Sequence, residues 1–310
     1  MTVVGPHVPD LRALELLVVV ARTGSLGAAA TELGITQQAA SSRVRTMEAL
    51  VGEPLVARST RGSELTPTGE LVVQWAGRVL DAAQELDAGI TALRADRRGH
   101  LDIAASLTIA EHLLPGWLVG LRAQQVQRGQ QPTEITMTAT NTQRVTELVL
   151  AGDVALGFVE GPDAPRGLRH RLVGTDELLV VVGPAHPWAQ RSRRRVSAAT
   201  LAAMPLVVRE AGSGTRTVLE RALADLPMAP PALELSSTAA VRAAVAAGAG
   251  PAAVGAHAVR DDLATGRLVR VTVTGLDLTR RLHAVWKGGP QPPEGPAREL
   301  VVWAARNART

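Results

Sequence analysis

One short stretch near the start of the chain concentrates side chains suited to contacting nucleic acid. Glutamines, hydroxyl residues and arginines share the polar face of a predicted helix within residues 36–45, TQQAASSRVR. Glutamine and arginine suit the edges of adenine and guanine, and hydroxyls bind phosphates or bases. With the cap of the preceding helix, the candidate DNA-contacting residues here are Ser25, Thr36, Gln37, Gln38, Ser41, Ser42, Arg43 and Arg45. A three-helix bundle with a solvated polar face is the alternative that this stretch alone leaves open.

Three short helices are predicted to position these side chains. The first follows Asp10 as N-cap, the second lies between Ser25 and the stop signal Gly34, and the third is capped by Thr36. A bracing helix, a turn and a polar second helix make a helix-turn-helix. Local charge does not separate this from the plain bundle, because arginines and acidic residues balance over residues 1–66.

A predicted hairpin follows the third helix. Residues 52–70, GEPLVARSTRGSELTPTGE, read as two short strands and a turn, after which Thr66-Pro67 opens another helix. Arg58 and Arg61 lie near the tip and complete the candidate DNA-contacting set. A hairpin in this place favours a winged helix-turn-helix over the plain bundle.

The residue order over this region resembles the N-terminal domain of LysR-type transcriptional regulators. The matching positions are Gly24-Ser25, Ala29-Ala30, Leu33, Thr36-Gln37, Ala39, Ser42, Arg43, Glu48, Leu50, Gly52, Leu55, Arg58, Leu65-Thr66 and Gly69. The chain departs from the family pattern at Leu17 and Val56, where Phe is common, and at Thr36 and Gln38, where Ser and Pro are common. The resemblance implies an all-α winged helix-turn-helix over residues 1–67 that binds double-stranded DNA with inverted half-sites.

A long glycine-poor pattern over residues 68–95 predicts one connecting helix. Its apolar positions are Leu71, Trp75, Val79, Ala82, Leu86, Ile90 and Leu93. Their spacing is close to an eleven-residue repeat of about 3.67 residues per turn, which gives a nearly straight apolar seam. The resemblance implies that this linker helix forms a homodimer and that dimers assemble to a homotetramer. Coverage of the seam by the same chain is the alternative.

From residue 101 to 310, short apolar runs alternate with helical patterns, so this part is predicted to be α/β. The run LLVVVG at 178–183 is one of nine candidate strands. Four strand-to-helix junctions carry hydroxyl, amide or glycine residues, and helix N-termini favour anions. Each junction alone is most often a simple N-cap. The candidate effector-binding residues are Ser106, Leu107, Thr108, Asn141, Thr142, Phe158, Gly212, Ser213, Thr215, Ser237 and Thr238.

These junctions also resemble the effector-binding domain of LysR-type regulators, a periplasmic-binding-protein-like fold of two subdomains. The segments GNT, PGSGTR and GSTEA of one branch are matched at residues 140–142, 211–216 and 236–239, whereas Pro251 departs from a common GLGV pattern. That branch includes regulators of carbon fixation and of sulfur metabolism. The resemblance therefore implies a small anionic effector.

Enzymatic chemistry finds little support in the sequence. The chain has no cysteine, which excludes thiolate nucleophiles, disulfides and cysteine zinc sites. EAGSGT at 210–215 lacks the G-x-S-x-G spacing, GAGPAAVG at 248–255 fails G-x-G-x-x-G, and the histidines form no H-x-x-x-H pair. We therefore expect that the protein is not an enzyme and that it binds neither a metal ion nor a cofactor. Two alternative functions remain open. The first is a DNA-binding protein that binds no ligand, and the second, which the sequence favours less, is an enzyme on a binding-protein-like fold.

Location and partners follow from the same features. No run reaches about 18 apolar residues, and the N-terminus lacks the basic region of a signal peptide, so we expect no membrane partner and a cytoplasmic protein. RNA polymerase is a candidate partner beside DNA and the effector.

Overall fold

The computed structural model describes residues 5–59, 62–98, 100–190 and 195–307. Arg61 lies outside the described residues, and so does the side chain of Arg58. The chain divides into two compact units, Met1–Asp87 and Ala88–Thr310. Each unit is built around its own hydrophobic core.

The first unit contains three short helices, a hairpin and the start of a long helix. These are α1 (Leu11–Thr23), α2 (Leu26–Glu32), α3 (Gln37–Val51), β1 (Val56–Ser59), β2 (Gly62–Leu65) and α4 (Pro67–Arg98). The side chains of Asp10, Ser25 and Thr36 accept hydrogen bonds from the first turns of α1, α2 and α3. Such N-caps satisfy amides that a helix start leaves open. The predicted winged helix-turn-helix is confirmed.

The hairpin is tied to the helices by specific contacts. The carboxylate of Glu48 accepts hydrogen bonds from the backbone N–H groups of Leu55 and Val56, at 2.9 and 3.3 Å. The backbone N–H of Ser63 donates to the carbonyl of Gly24 at 3.1 Å. The start of β1 is therefore fixed relative to α3, and β2 is fixed relative to the junction of α1 and α2.

Helix α4 exposes the apolar stripe that its sequence pattern predicts as far as Ile90, whereas the side chain of Leu93 lies outside the described residues. Trp75 and Leu86 are 59% and 66% exposed, and Leu71, Val79 and Ile90 are also exposed. Val72 and Ala76, on another face, are buried in the first unit. The helix thus packs against its own unit on one side and keeps large apolar side chains outside that core.

The second unit is an α/β fold. Its helices are α5 (Leu107–His112), α6 (Leu114–Gln127), α7 (Thr142–Ala151), α8 (Ala198–Ala202), α9 (Gly214–Ala222), α10 (Thr238–Ala246), α11 (Ala256–Ala264) and α12 (Pro296–Asn307). Its strands are β3 (His100–Ser106), β4 (Glu134–Thr140), β5 (Leu156–Gly161), β6 (Arg169–Val182), β7 (Arg195–Ser197), β8 (Val207–Arg209), β9 (Leu233–Leu235), β10 (Ala252–Gly255), β11 (Val269–Thr274) and β12 (Thr279–Trp286).

Two long strands join two halves of this unit. The main sheet has the order β4-β3-β5-β12-β6-β11-β7, and β10 also pairs with β6. The first part of β6, Arg169 to Glu177, pairs with β12, whereas residues 178–182 pair with β10 and β11. We call β3–β5, α5–α7 and α12 subdomain I, and β7–β11 with α8–α11 subdomain II.

Separate cores support this division. Subdomain I packs around Phe158 and Trp286 under α6 and α12, and subdomain II packs around Val180 and Leu219. Strand β6 contributes Val173 to the first core and Val180 to the second, and the chain passes from Leu278 in the second core into β12, whose Leu282 lies in the first. The predicted effector domain of two α/β subdomains is confirmed.

Candidate functional site

The polar face predicted for α3 lies on the outside of the first unit. Ala40, Val44 and Met47 are buried against the other helices, which turns the remaining side chains outward. The exposed candidates are Thr36, Gln37, Gln38, Ser42 and Arg45, and the half-buried ones are Ser25, Ser41 and Arg43. The structure therefore gathers these candidates on α3 and at the start of α2.

Strand ends and helix starts meet at the boundary between the two subdomains. Ser106, Asn141, Ser213 and Ser237 are the N-caps of α5, α7, α9 and α10. The backbone N–H of Gln143 in subdomain I donates to the carbonyl of Gly212 in subdomain II at 3.0 Å. Two of the predicted junctions, at the starts of α7 and α9, are therefore in direct contact across this boundary, and we call the boundary region the cleft.

Glycines permit the close approach of the two cleft walls. A Cβ at Gly214 would overlap the backbone carbonyl of Glu160 across the cleft. A Cβ at Gly212, which has φ +83°, would come within 2.6 Å of the Gln143 side-chain oxygen. A larger residue at Gly214 would push the subdomains apart because it meets backbone, whereas one at Gly212 would displace the Gln143 side chain and strain a left-handed backbone.

Ion pairs that the sequence did not suggest lie at the base of the cleft. Arg280, fully buried on β12, bonds the carboxylate of Asp176 on β6 through Nε at 2.9 Å and Nη2 at 2.5 Å. Its Nη1 lies 2.9 Å from the carboxylate of Glu160 at the end of β5. Arg209, also buried, pairs with Glu210 at 2.8 Å. The only sequence signal for these residues is a charge within or beside an apolar strand run.

The hydroxyl groups of the candidate effector-binding residues form two groups. Those of the first group already donate a hydrogen bond inside the protein. Ser106 and Thr108 donate to the Glu160 carboxylate at 2.8 and 2.9 Å, and Thr142 donates to the Glu160 carbonyl at 3.0 Å. Each hydroxyl has one hydrogen to donate. These three hydrogens therefore already have partners inside the protein.

The remaining hydroxyls keep a hydrogen to donate. Thr215 accepts from Arg280 and Thr238 accepts from Arg209, at 2.9 and 3.0 Å. Ser237 accepts from the backbone N–H of Ala240. Ser213 is buried, and among the described residues its hydroxyl has no hydrogen-bond partner. Unused hydroxyl donors are therefore concentrated in subdomain II.

Three other predicted residues occupy different surroundings. Asn141 accepts from the backbone N–H of Arg144 at 2.9 Å, which leaves its amide hydrogens unused. Phe158 is fully buried in the core of subdomain I, 5.6 Å between ring centroids from Trp117. Leu107 is half-buried at the start of α5. Phe158 therefore contributes to the core that supports the cleft.

His112 ends α5, which contacts α11 of the other subdomain. Burial lowers the pKa of His112 below its usual value, and the charges of Arg242 and His257 lower it further against the opposing effects of Glu111 and Asp176. The imidazole is consequently neutral at pH 7 and adds no positive charge to this contact.

The described part of the chain contains no cluster of three or more histidine, aspartate or glutamate side chains placed to hold a metal ion. None of the described helices is both long enough and apolar enough to cross a membrane.

Comparisons with known proteins agree with this architecture. Residues 11–70 match the family model of the bacterial regulatory helix-turn-helix proteins of the lysR family, and residues 94–309 match the LysR substrate binding domain. The uncharacterized HTH-type transcriptional regulator Rv2282c of Mycobacterium tuberculosis strain H37Rv is 50% identical over 300 residues, covering 95% of this chain and 96% of its own.

Two solved structures show the same fold at low identity. The regulatory domain of Synechocystis PCC6803 CcmR, in complex with 2-PG, has a TM-score of 0.57 and 20% identity, covering 68% of this chain and 98% of its own. Vibrio fischeri DarR, in complex with DNA, has a TM-score of 0.50 and 21% identity, covering 96% of this chain and 98% of its own. With the two family matches, these findings show that the chain belongs to the LysR family, whose members are transcriptional regulators with an effector-binding domain and not enzymes.

Proposed function

We propose that this regulator binds a small anionic metabolite in the cleft of its effector domain and that this changes its binding to DNA. The observation that carries the proposal is the set of unused donors on Ser213, Thr215, Ser237 and Thr238. Hydroxyl donors at the starts of α9 and α10 also add to the positive ends of these helices. A site rich in donors favours a carboxylate, sulfate or phosphate group.

The effector would contact subdomain II first. Ser106, Thr108 and Thr142 have given their hydrogens to Glu160, so they offer an incoming anion no donor in this arrangement. Asn141, across the cleft, supplies the unused amide hydrogens of subdomain I. Bridging these two walls would favour the closed cleft, and differential affinity for two states is what a switch requires. The complex of the CcmR regulatory domain with 2-PG supports a small-molecule ligand for an effector domain of this fold.

We further propose that residues 1–67 bind DNA, residues 68–95 form the dimer and residues 101–310 bind the effector. A two-fold dimer through α4 would place two copies of α3 on inverted half-sites of double-stranded DNA, and pairs of dimers would form a homotetramer. The complex of DarR with DNA supports DNA binding by a chain of this fold. RNA polymerase is a partner of this assembly, which works in the cytoplasm with the DNA.

Thermal denaturation against a panel of oxoanions and carboxylates tests the effector. Ligand binding to the folded state raises the midpoint by mass action. We expect a selective rise for the wild type and its loss in Ser213→Ala, with DNA binding in the absence of ligand unchanged. Thr272→Ala, an exposed position on β11, is the matched control and should respond as the wild type does.

A midpoint that no member of the panel raises would contradict the anionic effector and favour a neutral ligand or ligand-independent DNA binding. Loss of both ligand response and DNA binding in Ser213→Ala would show misfolding, in which case Ser237→Ala decides whether the unused donors bind the anion.

A further inference from the structure

A carboxylate of the protein itself occupies the place where the sequence predicts an external anion. Glu160 is 2% exposed at the end of β5. One carboxylate oxygen accepts from Ser106 at 2.8 Å, and the other accepts from Thr108 at 2.9 Å. The same oxygen that Thr108 reaches lies 2.9 Å from Nη1 of Arg280. Two hydroxyls and a guanidinium therefore give both oxygens of this carboxylate at least one donor.

Arg280 connects this carboxylate to the other subdomain. Its Nη1 also donates to the hydroxyl of Thr215 on α9 at 2.9 Å, and its other nitrogens bond Asp176. A Cβ at Gly255, at the start of α11, would overlap Nη2 of Arg280. The guanidinium is therefore enclosed by both halves of the effector domain when they lie as the structure shows.

The charges at the base of the cleft do not cancel. Two buried carboxylates, on Glu160 and Asp176, surround the one guanidinium of Arg280. A second anion beside Ser106 and Thr108 would meet an uncompensated negative charge and hydroxyls that have no hydrogen left. An external anion is thereby excluded from this part of the cleft.

We propose that Glu160 is a built-in ligand of the effector domain. Its carboxylate fills an anion subsite of subdomain I and, through Arg280, holds this subdomain to α9 and α11 without any effector bound. This restricts an external anion to the donors of subdomain II. The inference rests on the proposed function only in identifying the cleft as the effector site.

Chemical rescue tests the subsite directly. Glu160→Ala removes a CH2–COO⁻ group, which is the size of acetate, and leaves Ser106, Thr108 and Arg280 without their acceptor. We expect a lowered thermal midpoint, because buried donors and a buried charge lose their partner. At equal ionic strength, acetate or formate should then raise the midpoint of this variant saturably by at least about 3 °C more than it raises that of the wild type.

Two double variants test which side chains bind the added acetate. Ser106→Ala in the Glu160→Ala background removes one donor of the subsite and should abolish the response to acetate. Ser213→Ala in the same background should leave that response unchanged, because Ser213 belongs to the other wall. Since neither DNA nor effector is present, failure of the rescue would leave the proposed function standing.

A folded Glu160→Ala protein that acetate and formate do not stabilise would overturn the proposal. If that variant does not fold with or without acetate, Glu160→Gln decides. This variant keeps the shape of the side chain but removes its charge, so we expect a lower midpoint, no response to acetate and faster amide hydrogen exchange at residues 210–216 and 255–257. Exchange and midpoint equal to those of the wild type would refute the role of Glu160.

Discussion

His283 lies on β12 in the effector domain. The Nδ1 atom of its ring is buried and has no hydrogen-bond partner among the described residues. The ring lies 5.3 Å from that of His170, measured between centroids. Burial lowers the pKa of His283 to about 4, with contributions from the charges of His170 and Arg281 and opposition from Asp163. A neutral imidazole is therefore built into a strand that both subdomains share.

This depressed pKa makes stability depend on pH. As the pH falls from about 6.5 to about 4, the unfolded chain binds the His283 proton before the folded chain does, so stability is lost across this window. His283→Phe keeps a ring but cannot titrate, and we expect it to flatten the fall of the thermal midpoint between these pH values. The exposed His7→Gln variant is the control and should follow the wild type. Parallel curves for the wild type and His283→Phe would contradict this assignment.

Helix α4 shows how one element serves two purposes. Val72 belongs to the core of the first unit, and Ala76 is also buried. Both side chains also form part of the lining of an open groove of about 660 Å³, to which the exposed Trp75 and Val79 contribute together with Val8. The apolar stripe then continues along the helix toward Ile90. Large exposed apolar side chains in a row favour an interface, because singly scattered ones would need no cover.

If the exposed apolar stripe of α4 is the dimer interface, a charge introduced within it should weaken dimerisation. Leu86→Glu adds a carboxylate at a position that is 66% exposed in the single chain, so the chain should fold, but burial of that charge in each copy should weaken dimerisation by at least about 100-fold. Sedimentation over a range of concentrations measures the change. Gln84→Glu adds the same charge at an exposed position off the stripe and should leave the mass unchanged. A Leu86→Glu protein that stays as associated as the wild type would rule out this stripe as the interface.

At the scale of the whole molecule, the two units divide recognition between them. The first unit presents the polar face of α3, and the second presents a cleft whose walls are already in contact. The formal net charge of the chain is only +4, so its overall charge does not explain binding to DNA. We therefore propose that the arginines in the sequence of α3 and of the hairpin supply the contacts with phosphates.

The contribution of the first unit to DNA binding can be tested on DNA duplexes selected from a random pool. The quantity measured is the dependence of the protein's affinity for these duplexes on salt concentration. We expect the selected sequences to contain inverted half-sites, since a two-fold dimer places its two α3 helices symmetrically. Arg45→Gln should weaken binding and reduce the slope of log affinity against log salt by about 1 per lost phosphate contact. Arg270→Gln, an exposed arginine on β11, is the control and should keep the slope of the wild type. Selection of direct repeats would contradict the symmetric arrangement.

The sequence by itself determined the features that depend on near neighbours. The caps at Asp10, Ser25 and Thr36 were predictable because each side chain bonds an amide three residues away. Gly52 ends α3 in the left-handed conformation for an equally local reason. The stripe on α4 follows from helical periodicity. These local signals, combined with the family resemblance, were enough for the fold and the class of function.

Only the tertiary structure determined the length of strand β6 and the hydrogen-bond and ion-pair partners of the side chains in the cleft. The apolar run at 178–183 predicted only the end of β6, because residues 169–177 are mostly polar and become a strand by pairing with β12. Asp176 and Arg280 are 104 positions apart, and no periodicity links them. A hydroxyl has one hydrogen to give, and only the packed fold places Glu160 where it takes those of Ser106 and Thr108.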